Sequence, residues 1–154
     1  MKYYLFYLSA VLCLLGCQPN SESTKTVRIK VSFSEEVSAS AKDGRLLLLL
    51  SNNDEQEPRF QINDGLNTQL VFGINVDGMK AGQEIIFDSE IFGYPYSSLS
   101  KVPPGVYNVQ ALLHTYQTFN LSTGQQVKLP MDNGEGQKWN KSPGNLYSTP
   151  FKIR

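Results

Sequence analysis

The sequence predicts an all-β domain, and three observations carry that expectation. From Val27 to Ile153, apolar residues recur at every second position in one short segment after another, the period of a strand with one buried face. Clusters of Gly, Pro, Asn and Asp separate these segments, as turns do between antiparallel strands. Only Ser97 to Lys101 suits a helix, and then for no more than a turn or two.

Val27, Ile29, Val31 and Phe33 alternate with Arg28, Lys30, Ser32 and Ser34, which reads as a half-buried strand. Leu46 to Leu50 form a continuous apolar run between Asp43-Gly44 and Ser51-Asn52-Asn53-Asp54. Its shortness and turn-rich flanks suit a central strand buried on both faces. Leu70, Phe72, Ile74 and Val76 alternate again, against Gln69, Gly73, Asn75 and Asp77. Asp77-Gly78 is expected to open a hairpin turn, because glycine accepts positive φ, with Glu84 to Asp88 as the returning strand. After Pro103-Pro104-Gly105 comes the longest strand candidate. It points Tyr107, Val109, Ala111 and Leu113 one way, and Asn108, Gln110 and His114 toward a more polar face. Val127, Leu129 and Met131 mark a later strand, and Phe151 and Ile153 the last. Seven or eight such strands predict an antiparallel β-sandwich of the immunoglobulin or prealbumin type. Asp132 to Ser148, rich in Gly, Asn and Pro, reads as one long ordered loop before the final strand.

The first residues carry a different signal. Lys2 precedes an apolar run from Tyr3 to Leu15, shorter than the roughly 20 residues a membrane span needs. That arrangement is a secretory signal peptide. Leu14-Leu15-Gly16-Cys17 resembles the lipobox of bacterial lipoproteins. The resemblance implies cleavage before Cys17, a diacylglyceryl group on its thiol and acylation of the freed amine. One acyl chain binds a membrane only marginally, at about 0.8 kcal/mol per buried methylene, whereas two or three hold stably. Residues 1–16 are therefore expected to be the signal peptide, 17–26 the lipidated cysteine with a polar tether, and 27–154 the β domain. The expected location is the cell envelope. Gln18, where the enteric sorting rule would need Asp for retention, favours the outer membrane over the inner.

Removing 16 of the 154 residues leaves 138, the size of one domain. Only Lys2 is lost from 14 basic and 14 acidic side chains, so the mature net charge is −1. No basic field for nucleic acid exists. Cys13 leaves with the signal peptide and lipid blocks Cys17, which excludes a disulfide or a cysteine metal site.

Nucleophilic hydrolysis needs a base beside its nucleophile. The chain has a single histidine, His114, and no Gly-x-Ser-x-Gly elbow, so His114 reads as a satisfied or exposed histidine and the chain as a non-enzyme without cofactor. Met131 to Gln137 concentrate oxygen ligands, but calcium takes six to eight and Asp132 and Glu135 supply the only carboxylates there. A polar turn is the preferred reading, with these two residues as weak metal candidates. Phe92, Tyr94 and Tyr96 cluster around Pro95, and Tyr116, Phe119, Trp139 and Tyr147 lie in or beside the late strand and long loop. Core filling is the first expectation for them. Exposed, they would suit sugar stacking or a protein contact, and Tyr94, Tyr96, Tyr116, Trp139 and Tyr147 form the candidate binding surface.

Several stretches carry a further likeness: Phe72 to Gly78, Gly93-Tyr94-Pro95, Pro103 to Ala111, Leu129 to Asp132, Glu135 to Asn140, and Ser142 to Ser148. From about Gly44 to Arg154 the chain is similar to the β-rich region upstream of the catalytic domain in secreted bacterial esterases of the α/β-hydrolase class. The resemblance implies an accessory domain, and it transfers no catalytic residue. The leading expectation is a membrane-anchored, non-enzymatic accessory or binding module. Its partners would be the membrane, through the anchor, and a carbohydrate or a separately encoded hydrolase. The alternative is the truncated or split front end of such an esterase, its catalytic domain lying beyond Arg154.

Overall fold

Five consecutive leucines have to be taken out of water, and the fold is built around doing so. The computed structural model describes residues 27–131 and 138–154. Cys17, the signal peptide, the tether and the weak metal candidates Asp132 and Glu135 lie outside the described residues.

Among the described residues nine strands follow in order: β1 (Ile29–Val31), β2 (Lys42–Ser51), β3 (Leu70–Met79), β4 (Ile85–Phe87), β5 (Gly93–Tyr94), β6 (Tyr107–Asn120), β7 (Gln126–Pro130), β8 (Leu146–Tyr147) and β9 (Phe151–Ile153). Single 3-10 turns occupy Pro58–Phe60 and Leu99–Lys101, the second of them within the one segment expected to be helical. Every strand pairing is antiparallel. β2 lies between β3 and β6 in a seven-stranded sheet, with β5 on the outer side of β3. The far edge of β6, a 14-residue strand, is lined in succession by β9, β8 and β7. β1 and β4 form a separate two-stranded ribbon. Among the described residues, no helix is long and apolar enough to cross a membrane.

The leucine run divides between two cores. Leu46, Leu48 and Leu50 join Phe72, Phe87, Val109 and Leu113 on one face, with Ile29, Val31 and Ile85 of the ribbon packed against them. Leu47 and Leu49 join Leu112 on the other face, under Ile62, Val71 and Trp139. Burying each leucine contributes about 1.5–3 kcal/mol relative to leaving it exposed. The double burial expected for this strand is thus present.

Three local expectations are overturned. Asp77-Gly78 does not turn the chain. β3 runs on to Met79, and its register against β2 slips between Lys42 and Gly44. Gly78 takes φ +62° inside this bulge, and its N–H donates to Asp43 Oδ1 at 2.6 Å. In a bulge of this glycine type the residue takes the left-handed conformation, which costs glycine no Cβ clash. The strand after it, β4, does not return along β3 but pairs with β1. Nor is the Gln110 side of β6 a polar surface, because Gln110 and Leu112 are both fully buried.

Gln110 is buried because it binds the irregular chain that covers it. Its Oε1 accepts from the Arg59 N–H at 3.1 Å, and its Nε2 donates to Glu57 Oε2 at 2.8 Å and to the Ser148 carbonyl at 2.9 Å. One amide thereby ties two loops to the sheet. Gln110→Met, close in volume, strands these groups and is expected to cost about 1–3 kcal/mol. The change should read as a lower urea midpoint with an unchanged m-value; an unshifted midpoint would show that the amide does not hold the loops.

Candidate functional site

Directly opposed residues in an antiparallel pair share a face. Asn75 of β3, Arg45 of β2 and His114 of β6 therefore form one row across the sheet. It lies just beyond the Leu47–Leu112 pair, where burial ends and the face opens. Gly73 makes room there: a Cβ on it would lie 2.9 Å from Arg45 Nε and 3.0 Å from Nη2. The guanidinium consequently lies across β3, donating from Nη1 to Asn75 Oδ1 at 2.9 Å and from Nη2 to the Gly73 carbonyl at 3.2 Å. Neither acceptor is charged. Among the described residues no carboxylate pairs with Arg45, whereas Arg59, the other half-buried arginine, is paired with Glu57 at 2.9 Å.

Above this row is an open cavity of about 610 Å³, within the usual range for small-molecule sites, about 300–1,000 Å³. Leu47, Ile62 and Val71 form its apolar floor, and Arg45, His114, Tyr116, Trp139, Met131 and Ser142 surround it. Tyr116 stands opposite Pro130 on β7 and meets the His114 ring edge-on, centroids 5.7 Å apart. Trp139 reaches the cavity from the loop before β8. Asn145 secures it by donating to the Trp139 carbonyl at 2.6 Å while accepting from the Thr115 N–H at 3.1 Å. Asn140 adds a bond to the Arg59 carbonyl at 3.0 Å.

The five aromatic candidates therefore do not form one surface. Tyr116 and Trp139, both half-buried, share the cavity. Tyr94 sits opposite Val71, on the same sheet face but at the edge strand β5. Tyr96 follows the cis Tyr94–Pro95 peptide and is exposed. It lies close enough to Tyr107 that its phenol, after burial, helps push the Tyr107 hydroxyl pKa up. Phe92, Tyr94 and Tyr96 are all exposed, so core filling does not account for them. Tyr147 is committed elsewhere: the Arg59 guanidinium stacks over its ring at 3.7 Å. A groove of about 430 Å³ beside it is lined by Arg59, already paired with Glu57, and by Lys141.

Arg45 was not among the sequence candidates. Beside five leucines it reads as the polar end of a strand. The usable signal was a charge in register with Leu47 and Leu49, on a face with no water to receive it further along. Among the described residues, no group of three or more His, Cys, Asp or Glu is placed to hold a metal.

A second charged group lies at the bulge. Lys128 of β7 pairs with Asp43 at 2.9 Å and also with Asp77. The hydrogen bond from Lys128, followed by that from the Gly78 amide, holds the Asp43 carboxyl below its ordinary 3.8. Lys128 in turn is raised, chiefly by Asp77 and then by Asp43. Lys152, then Asn108, lower Asp54 in the same way. This cluster ties β7 to the bulge.

No protein-family model matches the chain, and no curated protein or solved structure does either.

Carboxyls with lowered folded pKa values contribute stability above their ordinary value, and lose it as pH falls through the folded one. Thermal stability is therefore expected to change little between neutrality and about pH 5, and to decline below 3.8 as Asp43 and Asp54 protonate. These pairs are solvent-exposed and the effect is small. Lys128→Met with Lys152→Met should flatten the acid limb of a Tm–pH profile; an unchanged limb would assign acid sensitivity to other carboxyls.

Proposed function

We propose that this chain is an exported lipoprotein, anchored through Cys17, whose β domain is a non-enzymatic binding module for carbohydrate. One observation carries the binding reading: two aromatic rings, Trp139 and Tyr116, share a cavity of ligand size with the polar side chains of Arg45, His114 and Ser142. Sugar rings present apolar C–H faces and a polar rim. Aromatic side chains suit the faces, and a few placed polar groups suit the rim. The ribbon of β1 and β4 packed on the large sheet supports an immunoglobulin- or prealbumin-like sandwich as the frame. The lipobox residues Leu14-Leu15-Gly16-Cys17 support the anchor, and with it a place in the cell envelope, on the outer membrane by the Gln18 criterion.

An accessory contact with a separately encoded hydrolase is the second reading. It is favoured by Phe92, Tyr94 and Tyr96 standing exposed together at and beside the β5 edge, a composition typical of interface anchors.

Two measurements test the leading proposal. Growth with labelled palmitate should mark the wild-type chain and not Cys17→Ser; equal labelling of both would refute the anchor. Trp139 is the only tryptophan, so its emission reports directly on the cavity. An oligosaccharide panel titrated against the full chain should shift that emission and give saturable binding. Trp139→Ala, followed by calorimetry, should weaken binding by about tenfold or more, the loss typical of a buried aromatic anchor. Absence of binding across the panel would refute the carbohydrate reading.

A further inference from the structure

Arg45 gives the cavity a sign. Arg45 is half-buried beside an apolar floor, and its guanidinium is fixed by two neutral acceptors, Asn75 Oδ1 and the Gly73 carbonyl. Arginine carries five N–H donors; two are engaged on these acceptors, which leaves three. Withdrawing a cation from water without a counter-charge is unfavourable. This domain pairs its other half-buried arginine, Arg59, with Glu57. Among the described residues, no carboxylate pairs with Arg45. The hydrogen bonds orient it and leave its full charge facing the cavity.

The placement is also built into the strands. Gly73 is the position whose missing side chain leaves room for the guanidinium over β3, since a Cβ there would meet Nε at 2.9 Å. A planar, pre-oriented guanidinium matches the two oxygens of a carboxylate better than any other side chain. The rings of Trp139 and Tyr116 line the same cavity.

We propose that the cavity binds an acidic saccharide, one whose sugar ring packs on Trp139 and Tyr116 and whose carboxylate is held by Arg45. The proposal rests on the carbohydrate reading above and narrows it to sugars of the uronic acid class. Neutral sugars would leave the guanidinium without its partner after displacing the water that solvates it. That is the condition under which a site discriminates strongly against the ligand that lacks the group.

The test compares an oligosaccharide of uronic acid residues with the same oligosaccharide after its carboxyl groups are reduced to hydroxymethyl groups. A simple carboxylate, benzoate, serves as a third probe. Calorimetry on the full chain is expected to show the acidic form binding about tenfold or more tightly than its reduced counterpart, in line with a charge-assisted hydrogen bond. Arg45→Gln should abolish that preference, the acidic and reduced forms then binding with similar affinity. Arg45→Lys keeps the charge and loses the fork, and should retain part of the preference. Equal affinity of the wild type for both forms, or a preference that survives Arg45→Gln, would overturn the assignment to Arg45 while leaving the carbohydrate reading standing. Binding of benzoate through Arg45, with no saccharide bound, would refute the carbohydrate reading and the acidic-sugar proposal, and would leave an anion site. No binding of any probe would overturn both.

Discussion

Everything in this domain follows from β2 being buried on both faces. A strand in that position must have paired neighbours on both edges and cover on both sides, since neither its backbone groups nor its leucines can be left to water. β3 and β6 supply the edges. The two covers differ in kind. On the face of Leu46, Leu48 and Leu50 the cover is the β1–β4 ribbon, with Phe87 fully buried beneath it. On the face of Leu47 and Leu49 it is irregular chain, the segment around the Pro58–Phe60 turn and the loop bearing Trp139. A ribbon brings alternate side chains onto a sheet at regular spacing. Irregular chain has to be fastened by side chains, here Gln110, Asn140 and Asn145, and it meets the sheet only where it is fastened. The cavity lies on that second face, at the end where the leucines give way to Arg45.

The strands were legible because their burial is regular. Period-two alternation located β1, β3 and the first half of β6, and the unbroken leucine run located β2 as a strand covered twice. What misled was local turn chemistry. Asp77-Gly78 has the composition of a hairpin turn, but Gly78 uses its positive φ in a bulge whose cause, the Asp43 carboxylate that accepts the Gly78 N–H, is 35 residues away in sequence. No short-range rule sees that partner. For the same reason, the pairing of β4 with β1 could not be read from the residues between β3 and β4. Two-residue strands such as β5 and β8 are too short to show any period.

The site was legible in residue type and illegible in grouping. Aromatic residues in and near the late loop were sound candidates, and two of them do share a cavity. Separating those two from Tyr147 required knowing that Arg59 packs on the Tyr147 ring, a contact set by how one loop lies over another. Arg45 was hidden for the opposite reason. Its neighbours in sequence are leucines, and only the register with Asn75 and His114 shows that it faces open space.

The two sides of the cavity also differ in how firmly they are held. Arg45 projects from the central strand, its backbone paired on both edges and its guanidinium tied to β3. Trp139 projects from a loop that reaches the sheet through the Asn145 side chain and, by Asn140, the chain at Arg59. A group fixed before binding loses little entropy when a ligand arrives, whereas a group on a tethered loop can adjust to the ligand's shape at some cost. For the proposed ligand, the charge side is therefore the part of the cavity able to dictate orientation. The aromatic side is the part able to accommodate variation in what is attached. A neutral acceptor pair on Arg45 serves that division better than a carboxylate would, because it fixes direction without cancelling charge. Replacing Asn75 by Asp would remove this advantage even though it would tighten the bond to Arg45.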